Sequence, residues 1–256
     1  MQRGAAGTEA ERGSVTRSMN SLFRKFEASP LLARVAPFAV FVALTFCQGK
    51  FGEASRYWIY FAKTLVGAWL IWLMRPLVAE MKWKFSWEAV VVGVAVFAMW
   101  VGIDGFYPPL GRLLSRVGLA KVTSEAEPAP ELWNPHAQFG KASTLAWMFI
   151  VARVLGASIV VPPLEEVFYR SFLYRYVANH DFSSVPLGQF RPTPFLVAAV
   201  VFGFAHREWL AGILCGFAYQ CLVCRKKRLG DAMTAHAVTN FLLGLWVAWK
   251  GAWNFW

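Results

Sequence analysis

Three short stretches of the chain place ionisable or amide side chains inside otherwise apolar sequence. The first runs from Pro162 to Arg170, the second ends at His206, and the third holds His236 and Asn240. An ionised side chain at the centre of a bilayer costs about 2.5 to 3.5 kcal/mol on insertion scales, so such residues are expected to serve a function. A carboxylate, two imidazoles and an amide from three helices could surround one water molecule, which indicates a hydrolytic site.

The spacing within the first stretch assigns different roles to its two glutamates. Glu166 and Arg170 lie four residues apart, so they share a helix face and are expected to form an ion pair. Glu165 is rotated about 100° from Glu166 and is left unpaired by its own helix, which makes it a candidate base. The preceding prolines, Pro162 and Pro163, are predicted to break one helix and to start another that carries the glutamates in its first turn.

The histidine motifs allow a structural interpretation as well as a catalytic one. His236 and Asn240 share one helix face, and His206 ends its own apolar segment. Alone, the Glu and Arg would form a structural clamp, and the His and Asn would form hydrogen bonds between helices. The other histidines, His136 and His180, lie in polar sequence and are expected to be solvated. Because the remaining two both fall in these motifs, coincidence is the weaker explanation.

Composition places the chain in a membrane rather than in water. Only 16% of its 256 residues are charged and 57% are apolar, whereas soluble domains carry about 25% charged residues. The net charge of +11 could suggest a nucleic-acid partner, but the basic residues interrupt apolar runs and leave no wide basic face. We therefore expect the lipid bilayer as a partner and no nucleic acid. The cysteines lie in or beside apolar runs, which predicts packing residues rather than disulfides.

The apolar segments predict an all-α, polytopic transmembrane helix bundle of about seven to eight spans. Residues 1–30 are polar and predict a disordered cytoplasmic tail. Residues 104–143 predict a polar loop with a short surface helix around 110–119. The predicted spans are 31–48, 57–74, 88–103, 144–164, two short spans within 193–224 joined by a turn at 206–208, and 232–249.

The distribution of basic residues predicts the orientation of these spans. Cytoplasmic loops carry an excess of Lys and Arg. With the N-terminus inside, the inner loops and tail hold about twice as many Lys and Arg as the outer ones. Seven spans would then place the C-terminus outside.

The three motifs together resemble those of the CAAX protease and bacteriocin-processing (CPBP, or Abi) family of intramembrane endopeptidases. The resemblance covers roughly residues 144–250, and the sequence HREW at 206–209 resembles the exosortase-associated subgroup. The family resemblance divides the chain into two parts. Residues 31–143 form N-terminal transmembrane helices and a polar loop, and residues 144–256 form a catalytic transmembrane domain. The matching motifs are EExxxR at Glu165, Glu166 and Arg170, FxxxH at Phe202 and His206, and HxxxN at His236 and Asn240.

The resemblance implies hydrolysis of a peptide bond in a membrane-bound or lipidated protein or peptide, in a bacterial inner membrane. Its motif positions imply that Glu165 is the general base that activates water and that His206 assists it. They also imply that His236 and Asn240 form the oxyanion site. Glu166 and Arg170 would form a supporting ion pair.

The sequence is compatible with either a zinc-dependent or a metal-free mechanism. Family members are often described as metalloproteases, and Glu165, His206 and His236 would suffice to hold a catalytic zinc with an open position. However, the chain has no HExxH motif, and a metal-free glutamate mechanism is the favoured interpretation.

Two other function classes could use the same buried residues. A transporter or proton relay would be expected to show paired half-helices in two related halves, and no such symmetry is visible. An inactive immunity or scaffold protein of the same fold would retain the motif residues for stability alone.

Overall fold

The computed structural model describes residues 23–116, 118 and 132–256, and its regular structure is helical. The tail over 1–22, and 117 with 119–131 of the predicted loop, lie outside the described residues. The described part contains no β-strand, which confirms the all-α prediction. The helices are α1 (Pro30–Phe46), α2 (Ser55–Met74), α3 (Trp87–Gly102), α4 (Leu110–Arg116), α5 (Pro135–Phe139), α6 (Thr144–Ala178), α7 (Pro192–Phe204), α8 (Trp209–Lys226) and α9 (Gly230–Lys250).

The apolar helices coincide with the predicted spans. By length and composition, α2 and α6 could each cross a bilayer, and α1, α3 and α7 are shorter apolar helices. With α8 and α9 they occupy the seven predicted apolar segments. The count of seven to eight spans stays a prediction.

Several boundaries differ from the sequence prediction. Residues 23–28 are helical rather than part of a disordered tail, because Phe26 packs into the core with only 7% of its surface exposed. The predicted surface helix is present as α4 within the described residues, and α5 was not predicted. His136 is half-buried between the rings of Trp147 and Trp253, whereas His180 is exposed as predicted.

The prediction that the proline pair breaks the fourth span is wrong. Helix α6 continues through Pro162 and Pro163 to Ala178, a length of 35 residues or about 52 Å. Two π-helical segments, Gly156–Val160 and Val167–Leu173, are built into it. Glu165 and Glu166 consequently lie in the middle of a long helix and not in a first turn.

The π segment before the prolines explains why the helix survives them. The Val161 N–H bonds to the Gly156 carbonyl five residues earlier, and this wider turn relieves the clash that a proline ring makes in an α-helix. Pro162 has no N–H, so the Ala157 carbonyl receives no donor from its own helix. A side chain from another helix can therefore bond to it.

Small residues let several of the helices approach closely. A Cβ atom on Gly212 of α8 would lie 2.8 Å from Gly203 Cα on α7. One on Gly93 of α3 would lie 2.6 Å from the Ala235 carbonyl oxygen of α9. Close approach of this kind is a common device for packing helices in membranes. Helix α9, which packs against α3, α6 and α8, lies at the centre of this arrangement.

A charged cluster joins the loop after α2 to α1 and α6. The Glu80 carboxylate accepts hydrogen bonds from Arg34 at 2.8 Å, from Arg175 at 3.4 Å and from Ser171. Burial alone would raise the pKa of Glu80, but the hydrogen bond from Ser171 and the charge of Arg34 outweigh it and lower the pKa below 4.5. The cluster therefore favours the ionised carboxylate and stabilises this end of the bundle.

We expect Glu80→Gln to lower the free energy of unfolding by about 2 kcal/mol at neutral pH, because two guanidinium groups lose their counter-charge. The pKa of Glu80 is lower in the folded protein than in the unfolded chain. Its contribution to the free energy of unfolding is therefore complete above its ordinary pKa, and it is lost as the pH falls through the pKa of the folded protein. Unfolding in detergent micelles, followed by circular dichroism, measures both effects. The exposed Glu27→Gln variant is the control, and equal unfolding of the two variants at pH 7 would contradict the assignment.

Candidate active site

The predicted ion pair between Glu166 and Arg170 is present and almost completely buried. Arg170 Nη1 lies 3.2 Å from Glu166 Oε1, and the two side chains are 2% and 0% exposed. The guanidinium also lies 4.3 Å from the Phe202 ring centroid and donates to the Gly216 carbonyl at 3.4 Å. The pair therefore connects α6 to α7 and α8.

Glu166 has a second partner that the sequence did not reveal. His236 Nδ1 lies 2.9 Å from Glu166 Oε1, and because a carboxylate accepts, Nδ1 carries the hydrogen. The imidazole stacks on the Tyr219 ring at 5.2 Å, and the Tyr219 hydroxyl donates to Thr239 at 2.7 Å. These contacts fix the orientation of His236, so that Nε2 is the nitrogen left for chemistry.

Glu165 is unpaired within α6, as its rotation from Glu166 predicted. Its Oε2 atom is buried without a hydrogen-bond partner and lies 4.0 Å from His236 Nε2. That separation is too long for a direct hydrogen bond but suits a water that bonds to both atoms. An unpartnered buried carboxylate oxygen calls for a ligand, and a bridging water would satisfy it.

The other imidazole follows α7 and is held by the last turn of that helix. His206 Nδ1 lies 2.7 Å from the Phe202 carbonyl, which has no helical donor because α7 ends at Phe204. A carbonyl can only accept, so Nδ1 again carries the hydrogen and Nε2 is an acceptor. The ring lies edge-on to Trp100 at 5.6 Å.

Asn240 bonds to the carbonyl that the prolines leave free. Its Nδ2 atom donates to the Ala157 carbonyl at 2.8 Å. One amide hydrogen is therefore used for structure, and the second remains for a ligand. The helix irregularity before Pro162 and the placement of Asn240 are thus parts of one arrangement.

A single cavity of about 760 Å³ collects these groups. All four residues predicted to be catalytic line it, namely Glu165, His206, His236 and Asn240. It is also lined by residues for which the sequence suggested no role, among them Lys63, Trp100, Arg153 and Tyr219. Lys63 and Arg153 stand out in the sequence as charges inside predicted spans, whereas nothing in the sequence singles out Tyr219.

The site holds more hydrogen-bond acceptors than donors. Neutral His206 and His236 each present an Nε2 lone pair, Glu165 presents a free oxygen, and the second amide hydrogen of Asn240 is a donor. His236 can donate to an oxyanion only when Nε2 is also protonated, in which case Glu166 would stabilise the imidazolium. The arrangement is therefore suited to holding and deprotonating a water molecule.

A zinc centre of Glu165, His206 and His236 is not preformed in the described part of the chain. Both imidazoles have the Nε2 position free, as metal-binding histidines do, with a carboxylate or carbonyl on the other nitrogen. However, no three His, Cys, Asp or Glu side chains within residues 23–116, 118 and 132–256 converge to hold an ion. The donor types suit zinc, but their positions do not form a centre among the described residues.

The surroundings of the two glutamates predict opposite effects of the same substitution. Glu166→Gln should lower the free energy of unfolding by about 3 to 5 kcal/mol, because Arg170 and His236 lose a buried counter-charge. Glu165→Gln should change it little, because the oxygen concerned has no partner to lose. Unfolding of both variants in detergent micelles provides the comparison, and equal losses would contradict this account.

The comparisons with known proteins agree with the motifs. Residues 145–242 match the family model described as type II CAAX prenyl endopeptidase Rce1-like. No curated protein and no solved structure gives a significant match to the chain. The matched segment contains every residue of the three motifs, from Glu165 to Asn240. Over residues 145–242, the chain therefore matches the CAAX protease family, as the three motifs indicated.

Proposed function

We propose that this protein is an intramembrane endopeptidase in which Glu165 activates water to hydrolyse a peptide bond of a membrane-bound or lipidated substrate. The single observation that carries the proposal is the unpartnered Glu165 oxygen 4.0 Å from His236 Nε2, inside a cavity that His206 also lines. The family match supports the peptidase class, and the apolar helices support action in a membrane.

The reaction would begin with a water between Glu165 and the imidazoles. Glu165 accepts one proton from the water while an Nε2 lone pair accepts the other hydrogen as a hydrogen bond, which aims the oxygen at the substrate carbonyl carbon. The C–O bond forms, and the carbonyl electron pair moves to its oxygen to give a tetrahedral oxyanion. The proton on Glu165 then passes to the leaving nitrogen as the C–N bond breaks.

The oxyanion would be stabilised by Asn240 and by His236. Asn240 keeps one amide hydrogen for it, and its position is fixed by the bond to the Ala157 carbonyl. His236 donates once the second hydrogen of the attacking water has moved onto Nε2, and Glu166 then lies against the imidazolium. That proton is released to solvent when the carboxylate product leaves. Preorganised donors of this kind are worth about 3 to 4 kcal/mol in the transition state.

We further propose that the chain is a multi-pass protein of a bacterial inner membrane, with its N-terminus inside. The excess of Lys and Arg in the loops on that side supports the orientation. Membership of the exosortase-associated subgroup is a proposal that rests on HREW at 206–209 alone.

We expect Glu165→Gln to lower kcat/KM for peptide cleavage by at least about 100-fold, because an amide cannot accept the proton from water. Purified protein in detergent micelles with a fluorogenic peptide library provides the measurement. The exposed Glu53→Gln variant is the matched control and should cleave like the wild type. Undiminished cleavage by Glu165→Gln would show that another group is the base.

The metal-free mechanism also has a direct test. Protein treated with a chelator and shown by elemental analysis to hold well under one metal ion per chain should keep its full activity. Loss of activity on chelation, with recovery at about one zinc per chain, would contradict it and support a zinc mechanism.

A further inference from the structure

Two basic residues, a buried lysine and a half-buried arginine, line the catalytic cavity with no ion-pair partner among the described residues. Lys63 of α2 and Arg153 of α6 both face the space that Glu165 lines. Neither forms an ion pair with an Asp or Glu anywhere in residues 23–116, 118 and 132–256. Charged groups at membrane depth normally pair or mark a ligand path, so these two indicate an anionic ligand.

The Lys63 ammonium is only partly satisfied by its surroundings. Its side chain is buried, and Nζ donates to the Thr45 hydroxyl at 2.8 Å. Nζ also lies 4.5 Å from the Phe41 ring centroid and 4.7 Å from that of Tyr60. Rings can stabilise the charge but supply no carboxylate, and two of the three N–H donors are still free.

Arg153 is held by aromatic rings but its hydrogen-bond donors are unused. The guanidinium carbon lies 4.4, 4.9 and 5.1 Å from the ring centroids of Trp133, Tyr60 and Trp256. None of its side-chain N–H groups donates to an acceptor in the described part of the chain. A guanidinium fixed in this way is preorganised to bind a planar anion through two parallel hydrogen bonds.

The two charges are close enough to act on one ligand. Because both lie within 5 Å of the Tyr60 ring centroid, they are within about 10 Å of each other. We propose that Lys63 and Arg153 form a subsite that binds a carboxylate of the peptide substrate and so selects which bond reaches Glu165. The proposal rests on the proposed function only for the ligand being a peptide.

The fold also sets an upper limit on how far this carboxylate lies from the cleaved bond. The backbones of Arg153 and Glu165 are twelve residues apart on α6, which is about 18 Å along the helix axis, and their side chains reach into the same cavity. An extended peptide covers that distance in about five residues. The carboxylate should therefore lie within about five residues of the scissile bond. It can come from the chain terminus or from an Asp or Glu side chain, and matched substrates distinguish the two.

Cleavage of a peptide series tests the subsite. One sequence is made with a free terminal carboxylate, with a terminal amide, and with a terminal amide plus an Asp within five residues of the cleaved bond. We expect Lys63→Met and Arg153→Gln to lower kcat/KM at least tenfold for whichever acidic peptide the wild type prefers, and to leave the neutral amide unchanged. Lys250→Met is the matched control, since Lys250 lies 4.0 Å from the Trp249 ring centroid and outside the cavity.

Binding separates the subsite from the cleavage reaction. The same peptides are titrated into Glu165→Gln protein in detergent micelles by isothermal calorimetry, and an acidic peptide should bind at least tenfold more tightly than the neutral amide. Arg153→Gln in the same background should remove that preference, and Arg153→Lys should restore part of it.

Each outcome of these experiments decides one of the two proposals. Preferential binding of the acidic peptide without cleavage by the wild type would overturn the proposed function and leave the subsite standing. Equal binding of the acidic and neutral peptides by every variant would overturn the subsite. Loss of the preference when anionic phospholipid is added to the micelles would assign the two cations to a lipid headgroup and would likewise overturn it.

Discussion

The buried Glu166 carboxylate is the constraint on which the rest of the structure depends. It pairs with Arg170 one turn away and accepts from His236 on α9, and it is completely excluded from solvent. One negative charge thus neutralises a guanidinium and orients an imidazole. Since Arg170 also bonds to the Gly216 carbonyl and lies against Phe202, this one carboxylate joins α6, α7, α8 and α9 around the cavity.

Irregular helix geometry supplies the second element of the site. The wider turn at Gly156–Val160 lets α6 pass through two prolines, and it leaves the Ala157 carbonyl to the amide of Asn240. The end of α7 leaves the Phe202 carbonyl to His206 in the same way. Two of the four side chains predicted to be catalytic are therefore positioned by backbone groups that regular helices would have occupied.

Spacing and hydropathy could predict the parts of this structure that are local in sequence. The Glu166 and Arg170 pair follows from a separation of four residues, and the helices coincide with apolar runs. The continuity of α6 could not be predicted, because a proline pair ordinarily ends a helix and only the π turn compensates. The bond between Glu166 and His236 could not be predicted either, since it joins residues 70 apart and depends on how α9 packs.

The central claim is that one water molecule, held by Glu165 and His236, attacks the substrate. The most direct measurement is an experimental structure of the Glu165→Gln protein with an uncleaved peptide bound in a lipid nanodisc. The account predicts the scissile carbonyl carbon about 3 to 3.5 Å from a water that contacts residue 165 and His236 Nε2. A peptide bound elsewhere, or residue 165 facing lipid, would contradict it.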